Sequence, residues 1–315
     1  MLNRRHLRIK VLQSLYAFYQ SKSDEYSKLE KDVFNSVERI YDLYLYLLLT
    51  FTELKNQAKR RIEENKKKIL PTQEDLNPNL KFLENRIINL LESNEILRKV
   101  SETRRINWLG DENQEIFRKM FLQIRESETY FEFMNNNLEN FEDDLAFAVG
   151  LFKTEIANFP LLYNYFEERD IHWLDDIDLA CSMVIKTIKS FDPEGKNNIM
   201  PLYKDEIDEK EFIRLLFRKT ILMDEESEQL IDELTNNWEL DRIAKMDIIL
   251  MKMAIAEFQI FNNIPTKVTL NEYIEISKFY STPKSNGFIN GVLDKAIVRL
   301  EKEGKIKKVG RGLKN

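Results

Sequence analysis

The chain has 315 residues, of which 48 are Lys or Arg and 54 are Asp or Glu, giving a formal net charge of −6. It contains only 8 glycines and 7 prolines, well below average usage of roughly 7% and 5%. Rossmann and P-loop folds need glycines for phosphate-binding turns, and β-rich folds need them for hairpins. The shortage therefore excludes those classes and predicts an all-α protein of long helices, with about two domains by length.

Cysteine content and hydropathy predict the compartment. The single cysteine, Cys181, cannot form an internal disulfide, and the first residues do not resemble a signal peptide. Both points lead us to expect a reducing cytoplasm. The most apolar run, residues 40–52, has 13 residues, whereas a membrane helix needs about 20, so no membrane association is expected.

The charge is unevenly distributed along the chain. Residues 1–20 have a net charge of +4, residues 299–315 have +5, and the residues between them have −15. Basic clusters bind polyanions through phosphate contacts and counterion release. Basic ends are also common solubility tails, and the charge alone favours that interpretation.

Helical spacing of apolar residues defines the predicted elements of the first half. A helix is predicted over residues 3–20, followed by a long one over 26–68. The apolar stripe of the long helix is formed by Val33, Val37, Ile40, Tyr44, Leu47, Phe51 and Leu54. Further helices are predicted over residues 79–102, 112–134, 138–158 and 173–190.

The second half shows the same periodicity with clearer start signals. Asp208 with Glu211, and Thr269 with Glu272, match the capping-box pattern and predict two helix starts. The predicted helices are 209–222, 225–236, 240–261, one from Thr269 to about residue 280, and 285–303. The helix over 240–261 is apolar around most of its girth, which predicts a central buried position. The tail, residues 304–315, is expected to be loose.

No catalytic or metal centre can be assembled from the sequence. There is no nucleotide-binding glycine loop, and one cysteine with two histidines cannot form a four-ligand Cys/His site. The acids at 143–144 and 175–178 are explained more simply as helix-start charge. We therefore expect a helical binding protein without cofactor or metal.

Two stretches of the chain form a recognisable pattern. Residues 4–16 read RRHLRIKVLQSLY, and residues 237–254 read NWELDRIAKMDIILMKMA. The second stretch is followed by Ile264-Pro265, Asn271-Glu272 and, at residues 288–294, FINGVLD. In this order and spacing they resemble the NusB family, over residues 1–20 and 208–300.

The resemblance implies an all-α fold of two small helical bundles and a non-enzymatic function in transcription antitermination. It implies binding to the boxA element of nascent RNA together with NusE, a ribosomal small-subunit protein. The pair would act with RNA polymerase to promote read-through of ribosomal RNA operons. The chain is longer than compact family members, so residues 24–204 are interpreted as a helical insertion. The predicted division is an N-terminal subdomain over 1–223, a C-terminal one over 224–303 and a basic tail over 304–315.

The resemblance also implies residue roles. Arg4, Arg5 and Arg8 fall on the arginine-rich RNA-binding motif, and an arginine fork suits phosphate and guanine edges. The simpler alternative is a solvated helix start, although positive charge is unfavourable there. The other RNA-binding candidates are Lys252, Lys284, Asn286, Phe288 and Asn290. For Lys252 the alternative is a snorkelling lysine, and Phe288 could equally belong to the core.

Tyr16 and Asp247 match the positions by which the family holds NusE. A tyrosine is a common interface anchor, and an acid can pair with a basic ribosomal protein. A buried tyrosine in the first bundle is an equally good interpretation of Tyr16. Family members often have arginine after the acid, whereas this chain has Ile248.

Two alternative functions stay open. The chain could be a helical protein–protein adaptor that uses the insertion and does not bind RNA. It could also be an RNA-modifying enzyme, since NusB-like domains occur fused to RNA methyltransferases. The insertion has only Gly110, Gly150 and Gly195, widely spaced, so the enzyme is the weakest of the three.

Overall fold

The computed structural model describes residues 2–21, 26–195, 197–235 and 243–313. Within these ranges every regular element is helical and no strand occurs, which confirms the predicted all-α class. The residues of the predicted motif at 237–242 lie outside the described part of the chain. The described helices divide between two compact units. One unit comprises residues 1–37 with 203–315, and the other comprises residues 38–202.

The first unit is built around one buried helix. Residues 249–258 of this helix are all buried, which confirms its predicted central position. The other helices of the unit pack against it on several sides. The helices of the unit are α1 (Arg4–Ser21), the start of α2 (Tyr26–Lys66), α12 (Glu206–Leu222), α13 (Asp224–Leu234), the central α14 (Lys245–Ile260), α15 (Thr266–Tyr280) and α16 (Ser285–Lys302).

Both predicted capping boxes of this unit were wrong. The helix α12 begins one turn early, because the side chain of Asp205 accepts the backbone N–H of Asp208 and caps it. The helix α15 begins at Thr266 with Pro265 as its N-cap, so Thr269 lies inside the helix. Its hydroxyl donates instead to Glu257 Oε1 at 2.8 Å.

The long helix α2 supplies core residues to both units. All seven residues of its predicted apolar stripe are buried, which confirms the spacing argument. Residues up to Val37 belong to the first unit and those from Glu38 to the second. The second unit then continues through α3 (Gln73–Leu76), α4 (Lys81–Glu84), α5 (Arg86–Glu92), α6 (Glu95–Arg104), α7 (Asp111–Glu126), α8 (Glu128–Asn135), α9 (Phe141–Leu151), α10 (Pro160–Arg169) and α11 (Ile177–Lys189).

Aromatic side chains form the core of the second unit. The rings of Trp108 and Tyr46 meet edge to face with centroids 4.9 Å apart, and Trp173 packs on the same tyrosine at 5.7 Å. The indole N–H of Trp108 donates to the carbonyl of Tyr46 at 3.0 Å. The indole N–H of Trp173 donates to the carbonyl of Arg39 at 2.9 Å. The indole N–H groups of both tryptophans thus have acceptors inside the core, as burial requires.

The predicted helices of this unit were too long, because polar residues inside them act as N-caps. The side chain of Asn85 accepts the backbone N–H groups of Ile87 and Ile88, and Asn94 caps α6 in the same way. These two asparagines divide the predicted helix 79–102 into three. Ser127 divides the predicted helix 112–134 by accepting the N–H of Tyr130.

One helix of the unit was missed in the sequence. No helix was predicted between residues 158 and 173, but α10 lies there, and Pro160 occupies its first turn, where the missing N–H of proline has no cost. Among the described residues no single helix is long and apolar enough to cross a bilayer. The segments Phe141–Ile156 and Pro160–Arg169, bent by 69°, pass that test only as a pair.

Candidate nucleic-acid interface

The start of α1 lines a concave surface of the first unit, here called the arginine pocket. Its volume is about 620 Å³, and its wall combines α1 with the loop after α14 and the start of α15. The lining residues are Asn3, Arg4, Arg5, Arg8, Asn263, Ile264, Pro265, Val268 and Glu272. All three arginines predicted to bind RNA belong to this wall, and the side chains of Arg4 and Arg5 are partly exposed.

Arg4 and Arg5 are partly exposed, and each pairs with a carboxylate. The Nη2 atom of Arg4 lies 2.8 Å from Asp208, and the same guanidinium stands over the ring of Phe212. Arg5 donates two hydrogen bonds to Glu272, at 2.9 and 2.8 Å. Although burial alone would raise the pKa of Glu272, the hydrogen bond from Arg5 lowers it below its usual value. A phosphate that bound the Nε–Nη2 fork of Arg5 would therefore displace Glu272, whereas Asp208 contacts Arg4 through Nη2.

Arg8 lies in the interior, away from solvent. Its side chain is 2% exposed, and it faces Glu257, which is fully buried. The Nε atom donates to Glu257 Oε2 at 2.8 Å, and Nη2 donates to the other carboxylate oxygen. Burial alone would lower the pKa of Arg8, but the charge of Glu257 and their hydrogen bonds raise it above the usual arginine value. Arg8 is thus a buried cation that joins α1 to α14.

Glu257 is the centre of a buried polar cluster, here called the Glu257 cluster. It accepts hydrogen bonds from Arg8, from the Thr269 hydroxyl at 2.8 Å and from the Tyr273 hydroxyl at 2.9 Å. Four donors from two helices satisfy both carboxylate oxygens, as burial of a charge demands. This cluster was not predicted from the sequence. The only glutamate of the mostly apolar, buried helix α14 is the signal that could have revealed it.

Lys252 is also enclosed. Its side chain is 5% exposed, and its Nζ atom lies 2.8 Å from Asp224 and 2.5 Å from Glu228. The ring of Tyr19 covers the ammonium group at 5.2 Å, and the Tyr19 hydroxyl bonds to Asp224. Two carboxylates therefore neutralise this lysine inside the first unit.

The start of α16 lines a second concave surface, here called the Phe288 pocket. It has a volume of about 450 Å³ and contains two predicted RNA-binding residues, Lys284 and Phe288, beside Asp247, a predicted NusE-binding residue. Lys284 is exposed, whereas Phe288 is half-buried. Asp247 is buried and accepts a hydrogen bond from the Ser281 hydroxyl. Candidates for two different partners therefore share one pocket.

Asn286 and Asn290 stand on the first turns of α16, and both make local hydrogen bonds. The side-chain oxygen of Asn286 accepts the N–H of Gly287 at 2.6 Å. The amide of Asn290 donates to Asp294 at 3.3 Å. Both side chains are partly exposed.

The two pockets lie towards opposite ends of the central helix. Arg8, near the start of α1, contacts Glu257 near the end of α14. At the other end, Lys245 of α14 reaches Gln20 of α1 at 3.5 Å, so the two helices run antiparallel. Because 16 helical residues span about 24 Å, the arginine pocket and the Phe288 pocket are about 20 Å apart. Tyr16, which is 38% exposed, belongs to the half of α1 that lies nearer the Phe288 pocket.

The basic tail is docked on the first unit as far as it is described, which corrects the expectation of a loose segment. The N–H of Val309 donates to the carbonyl of Asn262 at 3.0 Å. Lys308 Nζ donates to the carbonyl of Phe261 at 2.9 Å, and Lys305 pairs with Glu226 at 2.6 Å. These bonds anchor the tail beside the end of α14.

The fold and this distribution of cations define the class of protein: a helical binding protein with a basic pocket. No group of three His, Cys, Asp or Glu that could hold a metal ion occurs in the part of the chain that the structure describes. Comparison with known proteins gives the family. Residues 180–298 match the model of the NusB family.

Pairwise comparison with individual proteins supports the same family. The chain is similar to the transcription antitermination protein NusB of Salinibacter ruber, with 38% identity over 141 residues, covering 42% of this chain and 88% of the relative. It is 33% identical over 113 residues to the protein of the same name from Natranaerobius thermophilus, covering 35% and 81% of the two chains. For that of Chloroherpeton thalassium the identity is 41% over 108 residues, covering 34% and 51%. No solved structure matches. The chain belongs to the NusB family.

Proposed function

We propose that this protein is an RNA-binding transcription antitermination factor. It binds boxA RNA together with NusE, within the antitermination complex of RNA polymerase, and promotes read-through of ribosomal RNA operons. The name of its relatives supports the general function. The observation that carries the RNA assignment is the arginine pocket, a concave surface lined by the partly exposed Arg4 and Arg5 of α1. The proposal involves no catalytic step.

Arg4 and Arg5 bind RNA phosphates in this proposal. A guanidinium offers two parallel donors to a phosphate, and exchange of a carboxylate for a phosphate preserves that geometry. Arg8 and Lys252 act differently from the other cations, because acids already neutralise them: the buried Glu257 pairs with Arg8, and the partly exposed Asp224 and Glu228 pair with the enclosed Lys252. We assign both to positioning: Arg8 fixes the start of α1, and Lys252 fixes α13 against α14.

Lys284, Asn286, Phe288 and Asn290 form the second RNA contact. An aromatic ring at a pocket wall can stack on an unpaired base, and an asparagine can bond to its edge. Tyr16 and Asp247 bind NusE.

We further propose that residues 24–204 are an insertion in an N-terminal subdomain over 1–223, followed by a C-terminal subdomain over 224–303 and the tail.

The test is a fluorescence anisotropy titration of labelled boxA RNA, with and without NusE, over a range of salt concentrations. We expect tight binding only with NusE present, and an affinity that falls steeply with salt. The double variant Arg5→Gln/Phe288→Ala should bind weakly. Its matched control, Lys295→Gln/Val298→Ala, removes one exposed cation and one exposed apolar side chain of the same unit and should bind normally.

The outcome of the titration also separates the alternatives. If the double variant binds boxA RNA as well as the unmodified protein does, the assignment of the RNA-binding residues is wrong. If the unmodified protein binds NusE but no boxA RNA, the chain is a protein–protein adaptor and the proposed function fails.

A further inference from the structure

A second basic surface lies on the second unit, far along the sequence from the arginine pocket. That unit, residues 38–202, has 22 Lys and Arg against 30 Asp and Glu. Residues 59–68, at the end of α2, nevertheless contain six Lys and Arg and only two Glu. The acidity of the unit therefore does not extend to this end of α2.

The side chains of this segment line a pocket with α7, here called the α2–α7 pocket. Its volume is about 280 Å³, and its cations are Arg60, Arg61 and Arg118. Polar partners hold two of them in place: Arg60 donates to Gln114 at 3.0 Å, and Arg118 donates to Glu115 at 2.6 and 2.7 Å. A phosphate group fits a recess of this size, and arginine forks match its geometry.

Arg61 has an incomplete set of partners. Its Nε atom is buried and has no hydrogen-bond partner among the described residues. Burial, followed by the guanidinium charge of Arg125, lowers the pKa of Arg61. A cation placed near another cation and short of acceptors is stabilised when an anion binds.

Acids also line the pocket, and they limit what it can bind. Asp111, Glu64 and Glu115 belong to its wall, so a ligand with a single diffuse charge gains little. A chain of phosphates gains more, because it also meets the exposed Lys66 and Lys67 at the end of the same helix. The only aromatic residue among the lining residues, Phe121, is buried, so the pocket offers no exposed platform for a base.

We propose that the α2–α7 pocket is a second, sequence-independent RNA site, which binds the phosphate backbone of single-stranded RNA through Arg60, Arg61 and Arg118. This site does not require that the arginine pocket bind boxA. It would place RNA on residues outside the range 180–298 that matches the NusB family model, and would add affinity without adding sequence preference.

The experiment measures anisotropy of a labelled 20-nucleotide poly(U) RNA with the full chain, as a function of salt. The variant is Arg60→Gln/Arg61→Gln/Arg118→Gln. The matched control is Arg98→Gln/Lys99→Gln/Arg105→Gln, which removes the same charge from exposed residues around α6 of the same unit. The plot of log affinity against log salt should become shallower by at least about 1.4 in the variant, since each phosphate contact of Arg60 and Arg61 contributes about 0.7 and Arg118, already paired with Glu115, adds less. The control should keep the original slope.

Three results would overturn the proposal. The variant could keep the full slope and affinity, or the control could lose as much as the variant, which would indicate a general effect of net charge. Alternatively, the variant could lose binding to phosphatidylglycerol vesicles but keep its RNA affinity. That last result would assign the patch to membranes, for which the exposed Ile69 and Leu70 next to it supply apolar contacts.

A second variant guards against misfolding. Arg60→Gln/Arg118→Gln changes only exposed side chains and leaves the enclosed Arg61 in place. It should reduce the slope by at least about 0.7, the contribution of Arg60, without a change in far-UV circular dichroism. Poly(U) does not contain the boxA sequence. If the protein binds poly(U) but not boxA RNA, the proposed function is rejected, while the proposed site in the α2–α7 pocket is still supported.

Discussion

The Glu257 cluster is the most sensitive point of the first unit, and Glu257→Ala tests that inference. The substitution removes the carboxylate that accepts hydrogen bonds from Arg8, Thr269 and Tyr273. The guanidinium of Arg8 then remains in the interior, and the acid nearest to it among the described residues is Glu272 at 3.7 Å. Two hydroxyl groups lose their acceptor at the same time.

The expected loss of stability follows from the burial of the pair. Breaking a buried ion pair by removing one partner costs about 3–5 kcal/mol, because the other charge stays buried without compensation. For a unit of this size, 1 kcal/mol corresponds to about 2–4 °C in the midpoint of thermal unfolding. We therefore expect the midpoint of the first unit to fall by about 10 °C.

The measurement is thermal and urea unfolding of Glu257→Ala, beside a double variant and a control. In Arg8→Met/Glu257→Leu both charges are replaced by apolar side chains, so most of the stability should return. The control Glu303→Ala breaks an exposed pair with Arg299 and should leave the midpoint unchanged. A loss below about 1 kcal/mol for Glu257→Ala, or a double variant less stable than the single one, would refute the argument from burial.

Three further predictions concern single residues. Glu272→Gln removes the carboxylate that occupies the fork of Arg5; it should strengthen RNA binding by about 2- to 5-fold in anisotropy titrations, and weaker binding would contradict this. Burial, helped by the charge of Asp178, raises the pKa of Cys181 to about 12. Its alkylation by iodoacetamide at pH 8 should therefore be slow in the folded protein and fast in urea, and equal rates measured by mass spectrometry would exclude this. Asn85→Ala removes the cap of α5 and should destabilise the second unit by about 1–2 kcal/mol in urea unfolding, whereas an unchanged midpoint would show that the cap is dispensable.

The periodic features of the sequence predicted the buried surfaces well. Every residue of the stripe from Val33 to Leu54 is buried, because a long amphipathic helix has only one way to present such a stripe to a core. The central position of α14 followed from the same argument. The resemblance to the NusB family was identified from short motifs at the two ends of the chain, and the family comparison bears it out.

Helix boundaries and residue environments were harder to predict, for a physical reason. Asn85 and Ser127 are ordinary polar residues in a helical pattern, and only their hydrogen bonds to the backbone show that they end one helix and start another. Arg8 matches an RNA-binding motif by position, but its environment depends on Glu257, 249 residues away. A local sequence pattern cannot identify a partner that lies so far away along the chain.

The pairing of the cations has a consequence for how salt affects RNA binding. If Arg5 exchanges Glu272 for a phosphate, as proposed, the RNA releases counterions but the freed carboxylate attracts new ones. The arginine pocket should thus show a weaker salt dependence than its number of arginines suggests. In the described part of the chain, Arg60 donates to the neutral Gln114 and the Nε atom of Arg61 has no partner, so these two arginines should show the full effect. A comparison of the two slopes in one protein can distinguish exchange of ion pairs from simple charge neutralisation. Exchange of ion pairs would also explain how a chain with an acidic net charge can bind a polyanion without a large excess of basic residues at any one site.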